Sequence, residues 1–132
     1  MKRHRAFTGL RYVAALFLVL GVVSSVSLAA PKAAVVGDWN GVLDEGASGK
    51  LHLVVHVTQK DDGSLTGTLD SLDQNANGIL ITTITYKNST LHFECSSVGG
   101  SYDGKMNKDS SGIEGKWSQG GGSAPLNFTR SK

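Results

Sequence analysis

Cysteine occurs once in this chain of 132 residues and proline twice, and charged side chains make up only 18% of it. A lone Cys95 closes no internal disulfide, so packing and hydrogen bonding must hold the fold together. Its alternation places it beside Leu91 and Phe93 on an apolar face, the setting of a buried and inert thiol. Beyond Val35 there is no apolar repeat at helical spacing, which leaves an all-β pattern. Lys and Arg are scattered rather than clustered, which argues against a nucleic-acid partner.

Motifs of catalysis and cofactor binding are missing as well. No Gly-x-Ser-x-Gly elbow is present, and Gly120-Gly-Gly122 lacks the Lys and Ser/Thr of a phosphate loop. A hydrolytic triad needs a nucleophile beside a histidine that is itself oriented by a carboxylate, yet His52, His56 and His92 fall on outward strand positions. His52 and His56, four residues apart on a strand, are separated by about 13 Å, too far for one metal ion. His92 and Glu94 read as a solvated cross-strand pair. The loop from Asp73 to Gly78 imitates the start of an EF-hand, but Ile84 stands where the bidentate Glu belongs. The expectation is no catalytic residue, no metal and no cofactor. Asn88-Ser-Thr90 and Asn127-Phe-Thr129 match the glycosylation tripeptide, which matters only in a host that glycosylates.

What the chain does have begins at its N-terminus. Lys2, Arg3, Arg5 and Arg11 precede the apolar stretch from Tyr12 to Val23, and small residues follow up to Ala30. That order is the order of a secretory signal, with cleavage expected after Ala29. A retained anchor is the alternative, because residues 12–30 approach the ~20 residues of a membrane span. Four of the thirteen Lys and Arg and none of the eleven Asp and Glu lie in residues 1–29, so the remainder carries nine bases and a net charge of −2. The expected organisation is a signal peptide over 1–29, a flexible lead over 30–35 and one β-domain over 36–132, secreted or periplasmic, with no stable membrane span after cleavage.

Period-two alternation then recurs between clusters of Gly, Asn, Asp and Ser. In Lys50–Gln59, Leu51, Leu53, Val55 and Val57 share one face while His52, His56 and Thr58 share the other. The predicted strands are Gly37–Leu43, Lys50–Gln59, Leu65–Leu69, Gly78–Tyr86, Thr90–Ser96, Tyr102–Met106, Ile113–Trp117 and Leu126–Arg130. In Gly78–Tyr86 the pair Ile79 and Ile81 is out of phase with Ile84 and Tyr86, and a β-bulge near Thr82-Thr83 would return both pairs to one side. Eight strands joined by hairpins predict an antiparallel up-and-down barrel, with a β-sandwich as the alternative.

One pattern appears four times: Gly41, Gly67, Gly104 and Gly115 each stand between two large inward residues. Missing side chains at these positions either let Trp39, Tyr102, Trp117 and Phe128 fill the interior or leave a ligand cavity lined by the same four residues. An eight-stranded barrel permits both outcomes. We read the interior as filled, with the cavity as the alternative.

Gly37-Asp-Trp39 on the first strand and Arg130 on the last resemble the Gly-x-Trp and closing Arg of the calycin barrels, the lipocalin and avidin superfamily. The resemblance implies that Arg130 packs across Trp39 at a closed end of the barrel, with Gly37 beside them. A broader likeness runs through Leu51–Val57, Gly67–Gln74, Gly99–Gly104, Gly115–Gly121 and Pro125–Arg130. These segments are similar to the small β-domain that precedes the catalytic domain of many secreted bacterial α/β-hydrolases. That likeness implies a bacterial envelope protein and an accessory module, without catalytic residues of its own. The expected function is therefore a noncatalytic exported barrel that partners a secreted hydrolase. A carrier of a small apolar ligand, lined by Trp39, Tyr102, Trp117 and Phe128, is the alternative, and a stand-alone hydrolase is a remote third reading.

Overall fold

The computed structural model describes Gly21 and residues 30–132, and the expected signal peptide lies outside the described residues apart from Gly21. Among the described residues no helix is long and apolar enough to cross a membrane. Among the described residues nine strands form one antiparallel sheet: β1 (Gly37–Asp44), β2 (Lys50–Gln59), β3 (Leu65–Ser71), β4 (Ala76–Leu80), β5 (Thr83–Lys87), β6 (Thr90–Cys95), β7 (Gly100–Met106), β8 (Gly112–Gln119) and β9 (Gly122–Arg130). Their spatial order is β4-β3-β2-β1-β9-β8-β7-β6-β5, so neighbours are hairpin partners except where β1 meets β9. That junction pairs Trp39 with Arg130 and Gly41 with Phe128, joining the first strand to the last. With all nine strands in one sheet, no second sheet exists among the described residues to make a sandwich.

The all-β expectation and the antiparallel meander stand, but the count of eight does not. The long fourth strand is divided into β4 and β5, which lie at opposite edges of the curled sheet. The cause is a handover at two adjacent residues. Ile81 donates its N–H to Gly67 O on β3 at 3.0 Å, and Thr82 donates its N–H to Glu94 O on β6 at 2.8 Å. The Thr82 hydroxyl reinforces the second bond to the same carbonyl at 2.9 Å. Changing partners between consecutive residues shifts the side-chain phase, so Ile81 is buried while Ile79, Ile84 and Tyr86 all pack on the core. The break falls one residue before the predicted bulge. The result is an open half-barrel, since β4 and β5 share no ladder.

Inward positions alternate with outward ones along each strand, as β1 shows with Trp39, Gly41 and Leu43 buried. Trp39, Phe93, Tyr102 and Phe128 are the largest fully buried side chains, each stabilising the fold by about 1.5–3 kcal/mol through removal from water. Phe93 stacks on Tyr102 with centroids 5.1 Å apart, and Tyr102 meets Phe128 edge-on at 5.0 Å. Glycine makes room for these rings. A Cβ on Gly41 would lie 2.7 Å from the Phe128 ring, and one on Gly104 would lie 2.7 Å from the Tyr102 ring. The Tyr102 hydroxyl donates to Leu126 O at 2.9 Å, so its burial strands no donor.

The two ends of the curl differ. One carries the short 3-10 turns Gly46–Ser48, Leu72–Gln74 and Ser96–Val98 together with the β8–β9 turn. The other carries the chain leading into β1, the β2–β3 and β7–β8 turns and the end of β9. There Gln59 accepts from the Ala33 N–H at 2.7 Å and donates to Pro31 O at 3.0 Å. Val35 is fully buried. The lead over 30–35 is thus tied to the sheet at several points.

Candidate functional site

Gly37, Trp39 and Arg130 come together at the end that the lead covers. β1 and β9 place Trp39 and Arg130 in register, and the guanidinium carbon lies 4.2 Å from the indole centroid. Arg130 donates to Ser110 O at 3.0 Å, to Val36 O at 2.9 Å and to Ala34 O. The Trp39 indole N–H donates to Val35 O at 2.9 Å. Gly37 adopts φ 136°, and a Cβ there would lie 2.9 Å from Arg130 Nη1. One cation therefore satisfies three carbonyls while covering the ring beneath it.

The opposite end is open. A cleft of about 160 Å³ lies between Leu43, Leu51, Leu53, Leu69, Ile79, Val98 and Trp117, with Glu45, Ser71, Gln74 and Gln119 as its polar lining. A second cleft of about 280 Å³ adjoins it and shares Leu43, Glu45, Trp117 and Gln119. Gln119 holds the wall in place: its Oε1 accepts from the Trp117 indole N–H at 3.0 Å, and its Nε2 donates to Val98 O at 2.8 Å. Ser71, 3% exposed, donates to Gln74 Oε1 at 2.9 Å. Of the four aromatic residues predicted as lining, Trp117 faces this mouth. Trp39, Tyr102 and Phe128, each no more than 1% exposed, pack into the core.

His52, His56 and His92 occupy the outer face of the sheet, each beside a carboxylate. His56 on β2 sits between Asp38 of β1 and Asp70 of β3, with Nδ1 and Nε2 each 2.8 Å from a carboxylate oxygen. A neutral imidazole has one N–H, whereas a carboxylate only accepts, so two such bonds require the imidazolium. The Asp70 bond first, then the Asp38 bond, raises the His56 pKa above its ordinary 6.5. Asp70 is held below the usual carboxylate range by the Gly78 N–H and then by His56. His52 meets Asp73 at 2.9 Å. His92 pairs with Asp103 across β6 and β7 at 2.7 Å and lies 3.6 Å from Glu94 on its own strand. The cross-strand partner of His92 is thus Asp103 rather than Glu94. Alternation marks these histidines as outward, but which acid each meets depends on register.

Burial pushes the Cys95 thiol up to about 11, which keeps it protonated at neutral pH. Among the described residues no group of three or more His, Cys, Asp or Glu is arranged to hold a metal ion. No family model, curated protein or solved structure matches the chain.

Proposed function

We propose that this chain is an exported, noncatalytic β-barrel module that works by binding, as an accessory or interaction partner of a secreted hydrolase. The observation that carries the reading is the difference in access to the core at the two ends: at one the lead, Trp39 and Arg130 cover it, and at the other the cleft beside Trp117 reaches the core residues Leu53 and Leu69. Export rests on the signal-like residues 1–29. The adjacent bonds of Ile81 to β3 and Thr82 to β6 support treating the curl as a closed barrel, with the chain itself spanning the seam. The ordered segments similar to the β-domain of secreted hydrolases support the choice of partner.

The test is a pull-down of the tagged, exported protein from its native envelope fraction, beside a variant in which Ile79→Trp fills the cleft. Enrichment of one hydrolase by the parent and its loss in the variant is the expected result. Recovery of the same proteins on an unrelated barrel would overturn the reading.

Carriage of a small apolar ligand is the second reading, favoured by the apolar walls of the mouth. The cleft, about 160 Å³, is smaller than the ~300–1,000 Å³ of drug-sized sites, so only a small molecule or a protruding side chain fits. Native mass spectrometry of freshly purified protein would reveal a retained ligand, and a uniformly ligand-free spectrum would count against carriage.

A further inference from the structure

The mouth carries a charge pattern that its apolar walls do not require. Glu45 lines both adjoining clefts, Asp44 joins it in the larger one, and neither cleft has a Lys or Arg among its lining residues. Lys50 stands opposite Asp44 in the β1–β2 register and lines neither cleft. Among the described residues the Glu45 carboxylate has no hydrogen-bond or ion-pair partner, while the Asp44 carboxylate accepts from the Gly46 N–H at 2.9 Å. Gln119 is committed at both ends, to Trp117 and to Val98. Gln74 has spent its carbonyl oxygen on Ser71. The polar capacity left facing the mouth is therefore the exposed Glu45 carboxylate, the second oxygen of Asp44, the Ser123 hydroxyl and the Gln74 amide N–H group.

Beneath these groups the floor is apolar. Leu53, Leu69 and Trp117 are 4%, 3% and 6% exposed. The inner cleft of about 160 Å³ is close to the ~150 Å³ that admits one benzene ring. An anion entering this mouth meets Glu45 and Asp44 with like charge. A neutral apolar molecule uses the walls but leaves the carboxylate with water alone. A cation attached to a small apolar body uses both, and indole is the side-chain ring that attracts cations most strongly.

We propose that the mouth binds a small organic cation, an ammonium group on an apolar body of about six carbons, with the body against Leu53, Leu69, Ile79 and Trp117 and the ammonium at Glu45. This rests on the reading of the mouth as a binding site and narrows it to one ligand class. Glu45 then selects by charge, and the apolar walls select by size.

The test uses protein purified after expression of the full chain, titrated with benzylammonium, benzyl alcohol and benzoate, which share one ring and differ in charge. The Trp117 indole N–H resonance in nuclear magnetic resonance spectra reports occupancy. Benzylammonium should bind at least fivefold more tightly than benzyl alcohol, benzoate should bind most weakly, and Glu45→Gln should erase the preference. Equal binding of amine and alcohol, or a preference that survives Glu45→Gln, would overturn the cation assignment and leave the mouth as an apolar site. No shift with any of the three at millimolar concentration would overturn both the assignment and the carrier reading, leaving the hydrolase-partner reading to its own test.

Discussion

Arg130 and Trp39 are register partners on the last and first strands, and the guanidinium carbon lies 4.2 Å from the indole centroid. The pair joins the first strand to the last in the middle of the sheet. It also fixes the lead, because Arg130 binds the Ala34 and Val36 carbonyls and Trp39 binds that of Val35.

Arg130→Ala should therefore destabilise the protein by about 3 kcal/mol, from a lost cation–π contact and the charge-assisted bonds to carbonyls. Arg130→Lys should recover less than half of that, since one ammonium does not reproduce the planar fork. Urea unfolding measures both, and a loss below about 0.5 kcal/mol in Arg130→Ala would contradict the structural role.

Gly41→Ala should cost about 1–3 kcal/mol by overpacking, because the added Cβ falls 2.7 Å from the Phe128 ring. Phe128→Leu alone should also destabilise. Combined, the two should cost less than the sum of the singles, because trimming the ring makes room for the methyl group. Strict additivity in a double-mutant cycle would show that the collision is not the cause.

His56 predicts a pH dependence with a definite sign. Its folded pKa is raised above 6.5, first by Asp70 and then by Asp38, so its stabilising contribution is complete below about pH 6.5 and is lost as pH rises through the folded value. Asp70, held below 3.8, contributes in the opposite sense and loses its share as pH falls through its own folded value. The His56 side chain is 37% exposed, so screening limits its effect to about 0.5 kcal/mol. The unfolding midpoint should fall between pH 6 and pH 9 by more in the parent than in His56→Gln. Identical pH profiles would remove His56 as the source.

Cys95 should resist alkylation by iodoacetamide in the native protein and react promptly in urea, because it is fully buried and its thiol is pushed up to about 11. Cys95→Ser should cost about 1–3 kcal/mol by burying a hydroxyl among apolar groups. Rapid labelling of the native protein, read by mass spectrometry, would contradict this burial.

Period-two alternation was enough to read β2 correctly, because Leu53, Val55 and Val57 are buried and His56 faces outward. It also located the phase change in residues 78–86, since a strand cannot bury Ile81 and Ile84 on one side without an irregularity. It did not reveal that the irregularity hands the chain from Gly67 on β3 to Glu94 on β6, because those carbonyls are distant in sequence and meet only in the curled sheet.

By itself the sequence determined the strand class, the inward faces and the glycines needed beside large rings, because these follow from local alternation and side-chain volume. Tertiary structure alone decided the pairing of Asp38 and Asp70 with His56, the sorting of Trp117 to the mouth and Tyr102 to the core, and the free carboxylate at Glu45. Each of these depends on register and curvature, which bring together residues from different strands and leave no trace in the spacing along any one of them.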